Sequence, residues 1–269
     1  MEVKKKTKVF VALPTIGSVV DSQAYILRDI AELYKDHVEL VYSPICIRRM
    51  MHDFARNRLV EEFLATDCDI LWFLDSDITP SVHVMDLVAL HGHKWQVAGS
   101  VYPIFMSPIA GKGPEVVLTC YRKNPNGNMS LCTVPKDGED FVDGLATGCL
   151  FIKREVFSKL EKPYFEFKFN DTDKEMVEGE DLGFCRKLSA LGIKFFTDFE
   201  LVAKHQKSVD LLEVNNYAIT YSNRAVLEFD SKIRSQIEGA MKASYQRGFE
   251  AGMVADGKTP PRSKVLWTP

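Results

Sequence analysis

The chain has 269 residues, 46% hydrophobic and 26% charged, with a formal net charge of −3. That composition suits a globular protein with a sizeable core and excludes a disordered chain. The near-neutral charge gives no overall pull toward nucleic acid or anionic membrane, and no run approaches the roughly 20 apolar residues of a membrane helix.

The six cysteines are scattered without a C-x-x-C pair. That spacing argues against a structural zinc site or a disulfide framework and for reduced thiols in the cytoplasm. The first apolar run, KVFVALP, is too short for a secretory leader.

KVFVALPT (8–15) reads as a buried strand ended by Pro14 and a Gly17-Ser18 turn. Asp21 or Ser22 then caps a helix to about Tyr34, with Ile26, Leu27, Ile30 and Leu33 on one face. VELVYSP (38–44) is a second strand. Residues 50–67 form an amphipathic helix with Phe54, Leu59, Phe63 and Leu64 near a 3.6-residue period. ILWFL (70–74) is a third strand, followed by a helix over about 81–91 and a strand within 94–103.

This alternation predicts a parallel, doubly wound sheet. Ligands bind such sheets at the carboxyl ends of the strands. Pro14-Thr15, Ser43-Pro44, Asp75 to Asp77 and Tyr102-Pro103 all fall there.

Further on, EVVLTCYRK and MSLCTVP form a hairpin about Asn126-Gly127. GLATGCLFIKREVF (144–157) is a strand running into a short helix, and PYFEFKF (163–169) alternates like a half-buried strand. Residues 179–192 form a helix with acids in its first turn and Gly192 past its end, and 193–205 a closing strand pair. The tail carries Ile233, Ile237, Met241 and Tyr245 at four-residue spacing. That stripe predicts a helix packed on the main domain or on a second copy of the chain.

The string ILWFLDSDIT sets two aspartates, Asp75 and Asp77, at the end of an apolar strand. Residues two apart on a strand share a face, about 6–7 Å apart. Carboxylates so close repel unless a cation lies beside them, and Mg²⁺ or Mn²⁺ bound with substrate phosphates meets that need. A pair of turn acids capping the next helix is the plainer account of the same residues. His91 and His93 read as a helix terminus at the surface rather than a metal pair.

ILWFLDSDIT, the ARN of Ala55-Arg56-Asn57, VDGLATGCLFIKREVF and GEDLGFCRKLSALGIKF, in that order, resemble the GT-A fold glycosyltransferases. Within them they are most similar to the inverting, family 2-like bacterial and phage enzymes. The likeness spans residues 8 to 205. It implies an α/β, Rossmann-like doubly wound mixed sheet forming a catalytic domain over 1–209, with 210–269 a helical extension.

The resemblance also implies a nucleotide sugar donor, Mn²⁺ or Mg²⁺, and inversion at the transferred sugar. Asp77 and His205 would ligate the metal with Asp75 beside them, Asp75 also touching the donor's ribose or sugar. Arg56, Asn57 and Thr15 would contact the donor nucleotide, a buried salt bridge being the other account of Arg56, and Thr147-Gly148 would lie beside donor sugar and acceptor. Asp181, next to Glu180, would be the base that deprotonates the acceptor hydroxyl; Asp143 is a weaker candidate. The acceptor is open among glycan, protein, small molecule and modified nucleic acid. The compartment would be cytoplasm, or host cytoplasm for a phage protein.

Two other readings fit the same string. In a haloacid dehalogenase-like phosphohydrolase Asp75 would be the nucleophile, although that motif usually sits on the first strand. A non-catalytic sugar-nucleotide binding protein would keep the fold without turnover.

Overall fold

The computed structural model describes residues 5–14, 21–43, 50–106, 115–132, 138–172 and 174–206. In chain order the elements begin β1 (Thr7–Ala12), α1 (Asp21–Leu33), β2 (Val38–Tyr42), α2 (His52–Leu64) and β3 (Ile70–Leu74). Then come β4 (Ile78–Thr79), α3 (Asp86–Ala89), β5 (Val97–Gly99), β6 (Pro103–Met106), β7 (Glu115–Lys123) and β8 (Met129–Cys132). The next are β9 (Glu139–Val142), β10 (Gly144–Leu145), β11 (Cys149–Lys153), α4 (Arg154–Phe157) and β12 (Lys168–Phe169). The last are β13 (Met176–Glu178), α5 (Glu180–Ala190), β14 (Phe195–Asp198) and β15 (Lys204–His205).

The main sheet has seven strands in the order β2-β1-β3-β11-β5-β14-β9. β1 pairs in parallel with β2 and β3, and β5 with β14. β11 runs antiparallel between β3 and β5, and β9 antiparallel to β14, so the sheet is mixed. A second sheet has the order β10-β7-β6, with β8 paired to β7, and β11 follows its strand β10 rather than a crossover helix, which is why it enters the main sheet from the opposite end.

The unbroken apolar run of β3 reflects burial on both faces. Phe10, Ala12, Leu71 and Phe73 pack with Ala55, Leu59 and Phe63 of α2 and Phe184 and Leu188 of α5. Val9, Val11 and Trp72 face the other layer with Leu27, Ile30 and Tyr34. Helices therefore cover both sides of the sheet, and what its strands carry past the core emerges at one edge.

Local chemistry sets the helix ends. Arg154 donates to the carbonyls of Phe63, Leu64, Thr66 and Cys68 and so closes the end of α2. Gly192, at φ +71°, ends α5: its N–H bonds Ser189 O, and Ile193 N–H bonds Leu188 O. This is the double carbonyl closure that a left-handed glycine permits.

Several expectations are corrected. Leu33 is exposed, and the inward face of α1 is Gln23, Leu27 and Ile30, with Tyr34 buried just past its end. Phe54 is 69% exposed, the inner face of α2 being Ala55, Arg56, Leu59, Val60 and Phe63. The helix expected over 81–91 shrinks to four residues after a series of turns. Residues 163–169 hold only the short β12, whose two residues are exposed, while Tyr164 and Phe165 before it are buried. β14 and β15 do not pair with each other: β14 lies in the main sheet and β15 against β4. Thr15, Pro44 and the C-terminal helix lie outside the described residues.

Candidate functional site

β3 stops at Leu74, and Asp75 to Asp77 form a turn closed by Ile78 N–H to Asp75 O, 2.9 Å. The two acids consequently do not share a strand face, as an extended chain would require. Each has found its own partner, which relieves the repulsion between them.

Asp75 turns toward α2. Arg56 Nη1 and Nη2 donate to its two carboxylate oxygens at 3.1 and 3.0 Å. The same guanidinium reaches Glu180 Oε1 of α5 with Nε at 3.4 Å and lies over the Phe73 ring. Arg56 is 4% exposed. Burial opposes its charge, but Asp75 and Glu180 outweigh that and hold the guanidinium above its ordinary pKa. A buried cation between two carboxylates is stable only as a set.

Asp77 turns the other way. Its carboxylate Oδ2 lies 3.2 Å from His205 Nε2, and its carbonyl accepts Gln206 N–H at 2.8 Å. The β4–β15 pair, His205 opposite Ile78, brings the histidine to this edge. His205 Nδ1 lies 2.9 Å from Pro103 O. A carbonyl and a carboxylate both only accept, so an imidazolium satisfies both contacts, while a neutral ring donates to one of them and leaves the other nitrogen's lone pair for a cation.

That geometry permits a test for a divalent ion. Two ligands at adjacent octahedral corners with bonds of about 2.1 Å stand about 3 Å apart, close to the observed pair. A backbone carbonyl on the far ring nitrogen is also the usual way to fix a metal-binding imidazole. The residues present fit a hard or borderline divalent cation. Among the described residues no cluster of three or more His, Cys, Asp or Glu is placed to hold a metal, so the pair would need further ligands from substrate or water.

Asp181 sits in the first turn of α5, partly buried, with Oδ1 accepting Leu182 N–H at 2.7 Å. Burial pushes its carboxyl above the usual carboxylate range and the adjacent Glu180 charge adds to this, against the pull of the Leu182 N–H and Arg56. It is a carboxylate with raised proton affinity beside a fixed cation.

The remaining expected residues fall as follows. Asn57 accepts from Tyr164 and Phe165 N–H at 2.8 and 3.1 Å and donates to Phe165 O and Asp53 O. With both amide hydrogens and the oxygen engaged, it fastens the 163–165 segment to α2 rather than facing a nucleotide. Arg56 is likewise enclosed by carboxylates. Thr147 and Gly148 are buried behind Asp75, whose N–H donates to Gly148 O at 2.9 Å. Asp143 is engaged by Lys194 and the Lys123 N–H. His91 pairs with Glu139 at 3.4 Å.

Gln23 went unread in the sequence. It is fully buried, and its Nε2 donates to Asp75 O and Ile78 O at 2.8 and 2.7 Å, holding the acidic turn from α1. A polar residue one turn before the inward Leu27 is the signal that would have found it.

No family model matches the chain, and no curated protein matches it. Among solved structures it is similar to A197 from STIV, at 23% identity and TM-score 0.49, over 75% of this chain and 86% of that one. It is also similar to GalNAc-T7, crystallised with UDP, GalNAc and Mn²⁺, at 14% identity and TM-score 0.44, over 76% of this chain and 44% of that one. The chain thus spans less than half of the GalNAc-T7 chain.

Proposed function

We propose that the protein is a metal-dependent glycosyltransferase of GT-A type, moving a sugar from a nucleotide-diphosphate donor to an acceptor hydroxyl with inversion. The observation that carries this reading is the pairing of the acids: Asp77 faces His205 at 3.2 Å, while Asp181, a carboxyl of raised proton affinity, opens α5 next to Glu180. The Asp75–Arg56–Glu180 set links the first turn of α5 to the acidic turn.

In this reading Asp77 and His205 would hold Mn²⁺ or Mg²⁺, which would supply electrostatic stabilisation to the departing diphosphate. Asp75, with both oxygens on Arg56, is not a ligand; carboxylate oxygens have lone pairs to spare, so it can still accept from a ribose or sugar hydroxyl. Asp181 takes the acceptor proton as that oxygen bonds the anomeric carbon. The bond to the diphosphate breaks, and its electron pair leaves with the phosphate oxygen. A base with raised proton affinity is better matched to a hydroxyl at neutral pH.

The phosphohydrolase reading is less well supported, because a carboxylate held by both oxygens on a buried guanidinium is a weakened nucleophile. A non-catalytic binder leaves the raised proton affinity of Asp181 without a use.

The test is release of nucleoside diphosphate from a panel of nucleotide sugars, with and without Mn²⁺. One donor should turn over slowly by hydrolysis, only with metal, and Asp77→Ala should lower that turnover on the order of a hundredfold. Metal-independent turnover would exclude the ligand assignment, and a product that retains the donor's anomeric configuration would exclude single displacement.

A further inference from the structure

Two of the six cysteines, far apart in spacing terms, meet in the second sheet. β7 and β8 are registered Leu118 to Cys132 and Tyr121 to Leu131, so β7 advances three residues where β8 advances one. Thr119 and Cys120 are the surplus, and a bulge of this kind bends its strand locally. Neighbouring strands stand about 4.7–4.9 Å apart, inside the roughly 4.4–6.8 Å between alpha carbons that a disulfide spans. Both thiols are free, and they are hydrogen-bonded to one another across the bulge.

The two thiols differ in access. Cys120 has no exposed surface, and Cys68, Cys149 and Cys185 are buried as well. Cys132 alone among the described cysteines is partly open to a reagent. Arg122, two residues beyond Cys120 on β7 and paired with Asp140, also hydrogen-bonds Cys132. The Cys120 contact and the Arg122 cation bring the Cys132 thiol down to about 7, against burial and the Asp140 charge. The same contact and burial push Cys120 up. An accessible thiol beside a cation is the one that attacks, and its buried neighbour is placed to resolve.

We propose that Cys120 and Cys132 form a redox modification site, a dithiol that closes to a disulfide by exchange with a small disulfide oxidant. The Cys132 thiolate attacks one sulfur of the oxidant and expels the other as a thiolate, leaving a mixed disulfide. Cys120 gives up its proton and attacks the Cys132 sulfur, and the second oxidant sulfur leaves as a thiolate. The two expelled thiolates take up the two protons lost by the cysteines. The oxidant is thus reduced by two electrons as the pair is oxidised by two. None of this chemistry draws on the glycosyltransferase reading.

The experiment holds the reduced full chain with glutathione disulfide at neutral pH, quenches it with acid and alkylates the remaining thiols. Trypsin then cuts at Arg122 and Lys123, between the two cysteines. In material of single-chain mass, the peptides carrying Cys120 and Cys132 should be found joined, and reduction should part them. This wild-type map decides the pairing without any variant. Cys120→Ser should stop at the mixed disulfide, with glutathione retained on Cys132, whereas Cys132→Ser should leave Cys120 unmodified. Arg122→Gln keeps both thiols and removes the cation. It should slow the loss of free Cys132 about threefold, because a rise in intrinsic nucleophilicity offsets part of the lost thiolate. A wild-type map that joins either cysteine to a different one, or that leaves glutathione on Cys132 with Cys120 free, would overturn the proposal. So would an unreacted pair, or glutathione on Cys120 in Cys132→Ser.

Discussion

The two acids of the opening motif, Asp75 and Asp77, are one residue apart in sequence and belong to different regions of the site. Around Asp75 the chain has assembled a buried set, with Arg56 and Glu180 enclosed between α2, β3 and α5. Around Asp77 it has assembled a pair of ligand type on the short β4–β15 ribbon, tied by Gln206 to Ser22 and by Ser22 to Thr79. Identical side chains thus acquire different chemistry from what the fold places beside them. The first is neutralised by a permanent protein cation, and the second is left with a partner that can share one from solution.

The sharpest way to break this contrast is Arg56→Met, which fills the volume but leaves Asp75 and Glu180 without their common cation. Removing one member of a buried ionic set costs about 3–5 kcal/mol, read by urea denaturation at neutral pH. The equivalent disruption on the other side, Asp77→Ala, should lower metal-stimulated turnover on the order of a hundredfold, about 3 kcal/mol of transition-state stabilisation. Its stability should stay within about 1 kcal/mol of wild type, because a partly exposed pair contributes little to folding.

Asp181→Asn sharpens the comparison further. Burial and the Glu180 charge raise the Asp181 pKa in the folded state. A raised carboxyl favours folding at pH below its unfolded value, and that contribution is lost as pH rises through the folded one. The asparagine protein should accordingly be more stable than wild type at pH 8, by about 0.5–2 kcal/mol, while losing transfer. The gain should vanish in melts below about pH 4, where the wild-type carboxyl is protonated in both states. Equal melting at pH 8 would remove the argument for a strained base.

The smallest effect separates core from surface on one helix. Phe54→Ser should change stability by no more than about 0.5 kcal/mol, whereas Phe63→Ala on the same helix should cost about 3–5 kcal/mol.

Legibility in the sequence followed the range of the interactions involved. β1, β3, α2 and α5 were readable because period and end signals are local: ILWFL has nothing polar in it, and Gly192 stops a helix wherever it lies. The resemblance set Asp77 and His205 together with Asp75 beside them, and the structure does bring Asp77 to His205, whereas the Arg56 and Glu180 partners of Asp75 were not legible. The pairing of Asp75 with Arg56 depends on a helix 19 residues earlier, and that of Asp77 with His205 on a strand 128 residues later. The expectation that Asp75 and Asp77 share a face failed because the strand ends one residue before them. Asn57 was read as a ligand contact because an amide in a motif looks functional. Only the fold reveals that Tyr164 and Phe165, more than 100 residues on, use up its oxygen.

On the proposed function Asp77, and not Asp75, holds a divalent ion together with a nucleoside diphosphate. Calorimetric titration of the full chain with uridine and guanosine diphosphates, with and without Mn²⁺, tests it most directly. The account predicts binding of one nucleotide that requires Mn²⁺ and disappears in Asp77→Ala. Binding that is equal without metal, or that survives Asp77→Ala unchanged, would contradict it.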